Sequence, residues 1–314
     1  MSTLEISKIS RSRQIIESLL YQCDVIINGD KPGDIKVNDS RLYKRVLKEG
    51  SIGLGEAYMD GWWDCEYLDA FFYKLLSEGI DSKVSDNFHD AVYYVVSRAI
   101  NLQSISRSRK VAKVHYNLGN NLFESILEPW MQYSCAYWKD ACNLEQAQVN
   151  KLSLICDKLM LKPGMEVLDV GCGWGGLASF IAQNYNVSVT GITISEEQKK
   201  LAEDRCRGLD VTIELTDYRE LQGKFDRIVS VGMFEHVGLK NYGVFFNKMH
   251  ECLTEDGLFL LHCIGSNQSG GGVDPWINRY IFPNGRLPSI QEIASCTEGR
   301  FIMEDWHNFG ADYD

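Results

Sequence analysis

The chain has 314 residues, 45% hydrophobic content and a formal net charge of −11. This length supports a large core and more than one compact part, and no apolar run approaches the roughly 20 residues that span a bilayer. Residues 1–115 carry 16 basic and 16 acidic side chains, so the remainder accounts for the whole net charge. An acidic second part argues against a nucleic-acid substrate, because phosphate contacts need clustered Lys and Arg.

The ten cysteines include no C-x-x-C pair, and the N-terminus lacks the charged-then-apolar pattern of a signal peptide. Scattered cysteines are typical of a reducing compartment. We therefore predict a cytoplasmic protein without a metal site.

The first part of the chain is predicted to be mainly helical, because apolar residues recur there at helical spacing. Helices are predicted at 12–28, 40–48, 68–76 and 92–102, and the segment 53–63 separates the second from the third. Five aromatic residues fit either a core or a lipid-facing surface: Trp62, Trp63, Phe71, Phe72 and Tyr73. One basic cluster fits either a solvated helix face or contact with anionic headgroups: Arg107, Arg109, Lys110 and Lys113.

From about residue 145 helix and strand patterns alternate, which is typical of a parallel sheet with helices on both of its faces. Helices are predicted at 145–159, 175–184, 195–206 and 241–252. Strands are predicted at 167–170, 187–193, 211–215, 226–231 and 258–262, with a turn at 254–257 before the last. The second part is therefore predicted to be an α/β domain.

A glycine turn follows the first of these strands, and Gly171, Gly173 and Gly176 fit the pattern G-x-G-x-x-G. Glycine lets the backbone turn tightly and approach a ligand closely, and ligands bind at such strand ends in open α/β sheets. A turn that only connects strand and helix remains an alternative.

The residues around this turn favour S-adenosylmethionine as the ligand. A dinucleotide site would have an acidic residue at the end of the second strand, where this chain has Thr193 followed by Ile194. Asp169 precedes the glycines, and Asp217 follows the third strand. NAD is the alternative cofactor.

Motifs outside the glycine turn resemble those of one family. They are GLGE at 53–56, YSCAYW at 133–138, VLDVGCGWGG at 167–176, GMFEHVG at 232–238, LHCIG at 261–265, DPWI at 274–277, YIFPNG at 280–285 and DWHNFG at 305–310. Together they cover most of the chain. They resemble the cyclopropane-fatty-acyl-phospholipid synthases and, beyond them, the mycolic acid cyclopropane synthases.

The resemblance implies a Rossmann-like class I methyltransferase sheet with a smaller helical N-terminal domain. We expect residues 1–115 to form that domain, which serves membrane contact or dimerisation, and residues 116–314 to form the catalytic domain. In the family the chain continues beyond the motif that contains Tyr313, so the catalytic domain is expected to be truncated here.

The resemblance also implies the reaction: the methyl carbon of S-adenosylmethionine is added to the cis double bond of an unsaturated phospholipid acyl chain, and a cyclopropane ring closes with bound bicarbonate as the base. A homodimer that is peripheral on the inner face of the membrane is expected. The alternatives are methyl branching of a fatty acid, small-molecule N-methylation, and an inactive truncated module that binds lipid and cofactor.

Site residues follow from the same motifs. Bicarbonate is expected against Cys135, Glu235, His262, Ile264 and Tyr313, with backbone N–H groups offered by Cys135 and Ile264. The cofactor is expected against Tyr133, Ser134, Asp169, Gly171, Cys172, Gly173, Thr193, Gln198, Asp217 and Tyr218, with Thr193 and Gln198 on the ribose and Asp217 and Tyr218 on the adenine. Acyl-channel candidates, for which core packing is the alternative, are Trp276, Tyr280 and Phe282. Considered alone, Glu235 could be a strand-end cap and His262 a core histidine.

Overall fold

The computed structural model describes residues 10–79, 120–270 and 272–313, except for the side chain of Tyr313. These residues form two compact units. The first contains residues 10–79 and Asp274–Ile281, and the second contains the other described residues. The predicted boundary near 115, the helix predicted at 92–102 and the basic cluster at 107–113 lie outside the described residues.

The helices are α1 (Arg11–Gln22), α2 (Leu42–Met59), α3 (Leu68–Ser77), α4 (Asn120–Ile126), α5 (Leu144–Leu159), α6 (Gly176–Tyr185), α7 (Glu196–Arg205), α8 (Tyr242–Cys252), α9 (Pro275–Tyr280) and α10 (Ile290–Thr297). The strands are β1 (Lys36–Val37), β2 (Trp63–Asp64), β3 (Glu166–Val170), β4 (Ser188–Thr193), β5 (Val211–Leu215), β6 (Phe225–Val231) and β7 (Leu253–His262).

The first unit differs from the sequence prediction at two helix ends. The helix predicted at 12–28 ends at Gln22, because Asp24 adopts a left-handed conformation with φ of 52° and Ile27 then bridges to Ile35. The break predicted at 53–63 is wrong in part, since α2 continues to Met59 and is interrupted earlier, at Gly50, where φ is 59°.

The aromatic residues of the first unit divide into two groups. Trp63 and Phe71 are buried in its core, with ring centroids 5.2 Å apart, so core packing is the correct interpretation for them. Phe72 and Tyr73 are 44% and 74% exposed. Trp62 lies under a guanidinium group, that of Arg41, at 4.5 Å.

The second unit contains a parallel sheet in the order β5-β4-β3-β6-β7. The predicted α/β fold is therefore confirmed. The strand order changes direction at β3: β4 and β5 lie on one side of it, and β6 and β7 lie on the other. In open sheets the ligand-binding crevice lies at such a switch point.

Alternate residues of the central strands pack on opposite faces of the sheet, as strand geometry requires. Val167 and Val229 pack with residues of α5 and α6, such as Leu152 and Ile181. On the other face, Ile228 and its neighbours pack with the aromatic residues of α8. Both faces are thereby covered by helices, and the strand ends carry the polar groups.

One predicted turn is wrong. The segment 254–257 was expected to precede the last strand, but β7 begins at Leu253 and contains this segment as a bulge. Leu253 pairs with Phe225 and Leu258 pairs with Arg227. Between these two pairs β7 therefore contains more residues than β6, and the extra residues form the bulge.

Candidate active site

The glycine turn after β3 has the geometry of a ligand cradle. Gly171 has φ of 84°, and its N–H donates to the carbonyl of Ile192 at 3.0 Å. A Cβ on Gly171 would lie 2.7 Å from Cγ of Met233. At Gly173, with φ of 54°, a Cβ would meet no atom within 4 Å, so open space adjoins the backbone there. Gly176 serves packing instead, because a Cβ would overlap the carbonyl oxygen of Trp130.

Two side chains next to the turn are buried. Asp169 is 1% exposed, its Oδ2 has no hydrogen-bond partner among the described residues, and burial raises the pKa of its carboxyl to about 7. The thiol of Cys172 packs in an apolar cluster with Ala202 and Ile213, and burial raises its pKa.

Thr193 and Gln198, the predicted ribose contacts, lie together. Thr193 is the last residue of β4, and its hydroxyl bonds Oε1 of Gln198 at 2.8 Å. Both residues are buried. Ser195 caps α7, since its Oγ accepts from the backbone N–H of Gln198 at 3.3 Å.

The two predicted adenine contacts have different surroundings. Both oxygens of Asp217 accept from Arg219, at 2.7 Å from Nε and 2.6 Å from a terminal nitrogen. The ring of Tyr218 packs edge-on against Phe245 inside the core, with centroids 5.2 Å apart. The ring is therefore buried among apolar side chains, and its predicted contact with the adenine stays a prediction.

Residues 133–135 form a segment beside the sheet edge. The ring of Tyr133 lies between Phe123 and Phe282, at 5.5 and 5.9 Å. Ser134 is held at both of its oxygen atoms: Oγ accepts from Nζ of Lys151 at 2.7 Å, and the carbonyl accepts from Nε2 of Gln148 at 2.9 Å.

Four of the five residues predicted to hold an anion lie together, and we call them the polar pocket: Cys135, Glu235, His262 and Ile264. Sγ of Cys135 is 3.7 Å from Nε2 of His262, and Oε1 of Glu235 accepts from the backbone N–H of Ile264 at 2.8 Å. That N–H is thus donated to Glu235 in this structure, whereas the sequence predicted that it serves the anion. Oε2 of Glu235 and Nδ1 of His262 are buried and have no partner among the described residues.

Burial shifts the pKa values of two side chains in this pocket. It raises the pKa of Glu235 to about 7. Burial, with a further contribution from the nearby charge of Lys151, lowers the pKa of His262 to about 4. At neutral pH the imidazole is therefore uncharged and the carboxyl is protonated in part of the molecules.

The last described segment approaches the same pocket. The ring of Phe309 stacks on His262, with centroids 5.2 Å apart and an interplanar angle of 27°. Oδ1 of Asp312 accepts from the backbone N–H of Trp138 at 2.8 Å. The backbone of Tyr313 follows in the turn Gly310–Tyr313, and its side chain is outside the described part of the chain.

The three acyl-channel candidates belong to different units. Phe282 lies in the second unit and contacts His236 at 5.7 Å as well as Tyr133. Trp276 and Tyr280 lie in the first unit, where the hydroxyl of Tyr280 donates to Glu56 at 2.9 Å. Phe282 thus contacts residues that adjoin Cys135 and Glu235 of the polar pocket closely in sequence.

Sequence reasoning missed Lys151 and Gln148. They are 1% and 3% exposed, and burial lowers the pKa of Lys151 to about 7. The available signal was their spacing: the two residues lie three positions apart on α5, on the helix face that also carries buried Leu152 and Ile155. A polar pair on an apolar face indicates a specific partner.

Comparison with known proteins places these features in a family. The profile of the family described as mycolic acid cyclopropane synthetase matches residues 103–314. The cyclopropane-fatty-acyl-phospholipid synthase of Escherichia coli strain K12 is 59% identical over 301 residues, which are 96% of this chain and 79% of that protein. Cyclopropane mycolic acid synthase 1 of Mycobacterium tuberculosis strain H37Rv is 36% identical over 202 residues, which are 59% of this chain and 70% of that protein.

Two solved structures share the fold. The cyclopropane synthase MmaA2 from Mycobacterium tuberculosis has 32% identity and a TM-score of 0.57, over 60% of this chain and 73% of that chain. The mycolic acid cyclopropane synthase CmaA1, complexed with SAH and CTAB, has 35% identity and a TM-score of 0.56 over the same shares of the two chains.

Proposed function

Because this chain belongs to the mycolic acid cyclopropane synthetase family, we propose that it converts the cis double bond of an unsaturated phospholipid acyl chain into a cyclopropane ring, with bound bicarbonate as the base. The chain is an S-adenosylmethionine-dependent methyltransferase of the cyclopropane-fatty-acyl-phospholipid synthase type. The observation that carries the finer proposal is the polar pocket, where Glu235 and His262 each hold a buried polar atom without a partner among the described residues.

The residues at the sheet edge fit S-adenosylmethionine, which supplies an electrophilic sulfonium methyl group when bound. Gly173 leaves open space beside a backbone that can approach a ligand. Thr193 and Gln198 hold each other in one arrangement, so their polar atoms are fixed before a ribose arrives. Oδ2 of Asp169 is an acceptor or, at neutral pH, in part a donor, and it has no partner among the described residues.

The polar pocket fits bicarbonate, which supplies a proton acceptor when bound. A carboxylate beside an anion would repel it, and the raised pKa of Glu235 resolves this conflict. An approaching negative charge favours the protonated carboxyl, whose Oε2 can then donate a hydrogen bond. The uncharged His262 can donate or accept at its unpartnered Nδ1.

The other residues of the site would position the alkene and stabilise the positive charge that forms on the substrate. An alkene is a neutral nucleophile that needs no deprotonation before attack, so holding it against the methyl donor is the main requirement. The faces of Tyr133 and Phe282 can stabilise positive charge on the substrate through their ring quadrupoles. Phe309 stacks on His262, so an apolar ring lies against one face of the imidazole.

The product distinguishes ring formation from the alternatives. The full chain is incubated with vesicles of cis-unsaturated phospholipid and a donor that carries a trideuterated methyl group, and the lipid is analysed by mass spectrometry. Ring closure removes one hydrogen from the transferred methyl, so we expect two deuterium atoms in a product that resists ozonolysis. Three retained deuterium atoms would indicate methyl branching. Unchanged lipid beside measurable cofactor binding would indicate a binding module.

We further propose that the protein is cytoplasmic and docks as a homodimer on the inner face of the membrane through its first unit. None of the helices in residues 10–79, 120–270 and 272–313 has both the length and the apolar character needed to cross a bilayer. A phospholipid substrate then has to be reached from the surface. The exposed faces of Phe72, Tyr73 and Leu76 on α3 support this role.

Sedimentation with vesicles tests the docking proposal. We expect the full chain to bind anionic vesicles, and Phe72→Ser with Tyr73→Ser to weaken that binding severalfold. Val244→Ser is the matched control, because Val244 is 47% exposed on α8 of the second unit. Equal loss in the control would assign docking to the other unit. Analytical ultracentrifugation measures the dimer, and a monomer at all concentrations would contradict it.

A further inference from the structure

Lys151 is a buried lysine whose charge has no counter-ion among the described residues. It lies on α5, is 1% exposed, and its Nζ donates to the neutral hydroxyl of Ser134 at 2.7 Å. No carboxylate of the described residues lies within 4.0 Å of its Nζ. A buried ammonium group without a counter-charge is costly, and packing alone would be served equally well by methionine.

The surroundings of Lys151 join the cofactor segment to the polar pocket. From the same helix, Gln148 donates to the carbonyl of Ser134 at 2.9 Å, and the carbonyl of Ala147 accepts from Tyr137 at 3.1 Å. The α5 helix therefore holds the segment 134–137 at several points. Cys135 of this segment faces His262 at 3.7 Å.

Lys151 is electrostatically coupled to three titratable groups. The charge of Lys151 lowers the pKa of His262, and the thiol of Cys135 and the carboxylate of Glu128 act on Lys151 itself. Both oxygens of Glu128 already accept backbone N–H groups, from Trp130 at 2.6 Å and from residue 132 at 2.8 Å. Glu128 is therefore not a counter-ion in direct contact with Lys151.

We propose that Lys151 supplies the counter-charge for a small carboxylate-type anion bound against Ser134 and Cys135. The inference rests on the proposed function, which brings two such anions to this edge: bicarbonate and the aminoacyl carboxylate of the cofactor. Lys151 positions the segment through its hydrogen bond to Ser134, and its charge attracts the anion.

The protonation of Lys151 gives the inference a measurable signature. Because burial lowers its pKa to about 7, much of the free protein holds the uncharged amine at pH 8. An anion favours the ammonium form, so binding at pH 8 takes up a proton. The affinity for the anion is expected to fall by up to tenfold for each pH unit between about 7 and the higher pKa that Lys151 has in the complex.

Three variants separate charge from packing. Lys151→Met removes the charge at similar volume, Lys151→Arg keeps it, and Lys200→Met removes an exposed lysine as the control. Calorimetry measures the binding of S-adenosylhomocysteine, which carries the carboxylate, and of 5′-methylthioadenosine, which lacks the aminoacyl chain. The thermal midpoint of the S-adenosylhomocysteine complex is then recorded with sodium bicarbonate and with sodium chloride at one pH.

The two sources of the anion give different results. If the cofactor carboxylate is the partner, Lys151→Met weakens S-adenosylhomocysteine about tenfold or more and leaves 5′-methylthioadenosine unchanged. If bicarbonate is the partner, both nucleosides bind normally and the variant loses the bicarbonate-dependent rise of the midpoint. In either case Lys151→Arg recovers part of the effect and Lys200→Met shows none.

Equal weakening of both nucleosides without recovery by arginine would overturn the inference, because a structural role explains that pattern. If Lys151→Met does not fold, calorimetry of the unaltered chain in two buffers of different ionisation enthalpy decides. Absence of proton uptake at pH 8 for both S-adenosylhomocysteine and bicarbonate would also overturn it. These binding results do not depend on turnover, so failure of the proposed reaction is seen separately in the lipid product.

Discussion

Two regions of the sheet edge satisfy their polar groups in different ways. Among the residues proposed to hold the cofactor, Thr193 bonds Gln198, and Asp217 accepts from Arg219 through both of its oxygens. In the polar pocket, Glu235 and His262 each keep one buried polar atom without a partner among the described residues.

The difference indicates how each region meets its ligand. Buried polar groups are nearly always hydrogen-bonded, so each unsatisfied group needs an explanation. Under the proposed function, the residues proposed to hold the cofactor are arranged by their own hydrogen bonds before a ligand binds, whereas a bound anion would complete the polar pocket. Asp169 and Tyr218 are exceptions among the proposed cofactor contacts, since Oδ2 of Asp169 and the hydroxyl of Tyr218 have no partner among the described residues.

The largest effect is expected at Gly171. Gly171→Val combines a φ of 84°, which costs about 1–2 kcal/mol for a side chain, with overlap against Met233. We expect an affinity for S-adenosylhomocysteine that is roughly 1000-fold lower. Gly208→Val is the control, because Gly208 also has φ of 84° but its Cβ position meets no atom within 4 Å. Calorimetry that finds equal losses in the two variants would remove the glycine turn from the site.

The second effect concerns chemistry and not cofactor binding. Glu235→Gln keeps the shape and a hydrogen-bond donor but removes the carboxyl that can exchange a proton with the bound base, so we expect kcat to fall at least about 100-fold. The affinity for S-adenosylhomocysteine should stay within about twofold, since the proposed cofactor contacts are other residues of the edge. Glu214→Gln, on an exposed residue of β5, is the control. A parallel loss of affinity and turnover would assign Glu235 a structural role.

A third effect appears in stability. The pKa of Glu235 is about 7 in the folded protein against an ordinary 4.5, so the folded state binds the proton more tightly. Its contribution is fully present below pH 4.5 and is lost as the pH rises through about 7. Between pH 5 and 8 the unaltered chain should lose about 2 kcal/mol more free energy of unfolding than Glu235→Gln. Urea unfolding at both pH values measures this, and parallel losses would show that Glu235 is solvated.

The smallest effect is expected for Thr193. Thr193→Val removes the hydrogen bond to Gln198 at nearly constant volume, and a neutral hydrogen bond contributes about 1 kcal/mol. The affinity for S-adenosylhomocysteine should fall about fivefold. Thr212→Val, on an exposed position of β5, should leave it unchanged. An unchanged affinity in Thr193→Val would place the ribose elsewhere.

Most of the sheet could be predicted because its strands are short apolar runs between glycines and polar turns. Segments with competing local signals were predicted less well. Thr254-Glu-Asp-Gly257 is typical of a turn, but pairing with β6 keeps this stretch within β7 as a bulge. Gly53 suggested a helix break, whereas α2 continues through it.

For the candidate site, the sequence predicts which residues belong to it but not the contacts that they make. Cys135, Glu235 and His262 are far apart in the chain, so no spacing joins them, and the family resemblance named them. The bond between Ile264 and Glu235 and the buried position of Lys151 depend on how β7 and α5 meet the edge. Tertiary packing decides such contacts, and the local pattern of one segment does not contain them.

The most direct test of the polar pocket is a crystal structure of the S-adenosylhomocysteine complex grown with bicarbonate. We expect a planar anion of three oxygens that is hydrogen-bonded to Oε2 of Glu235 and to an imidazole nitrogen of His262. A pocket in which these two side chains bond each other, or in which water alone fills the space, would contradict the proposal that a bound anion completes the site.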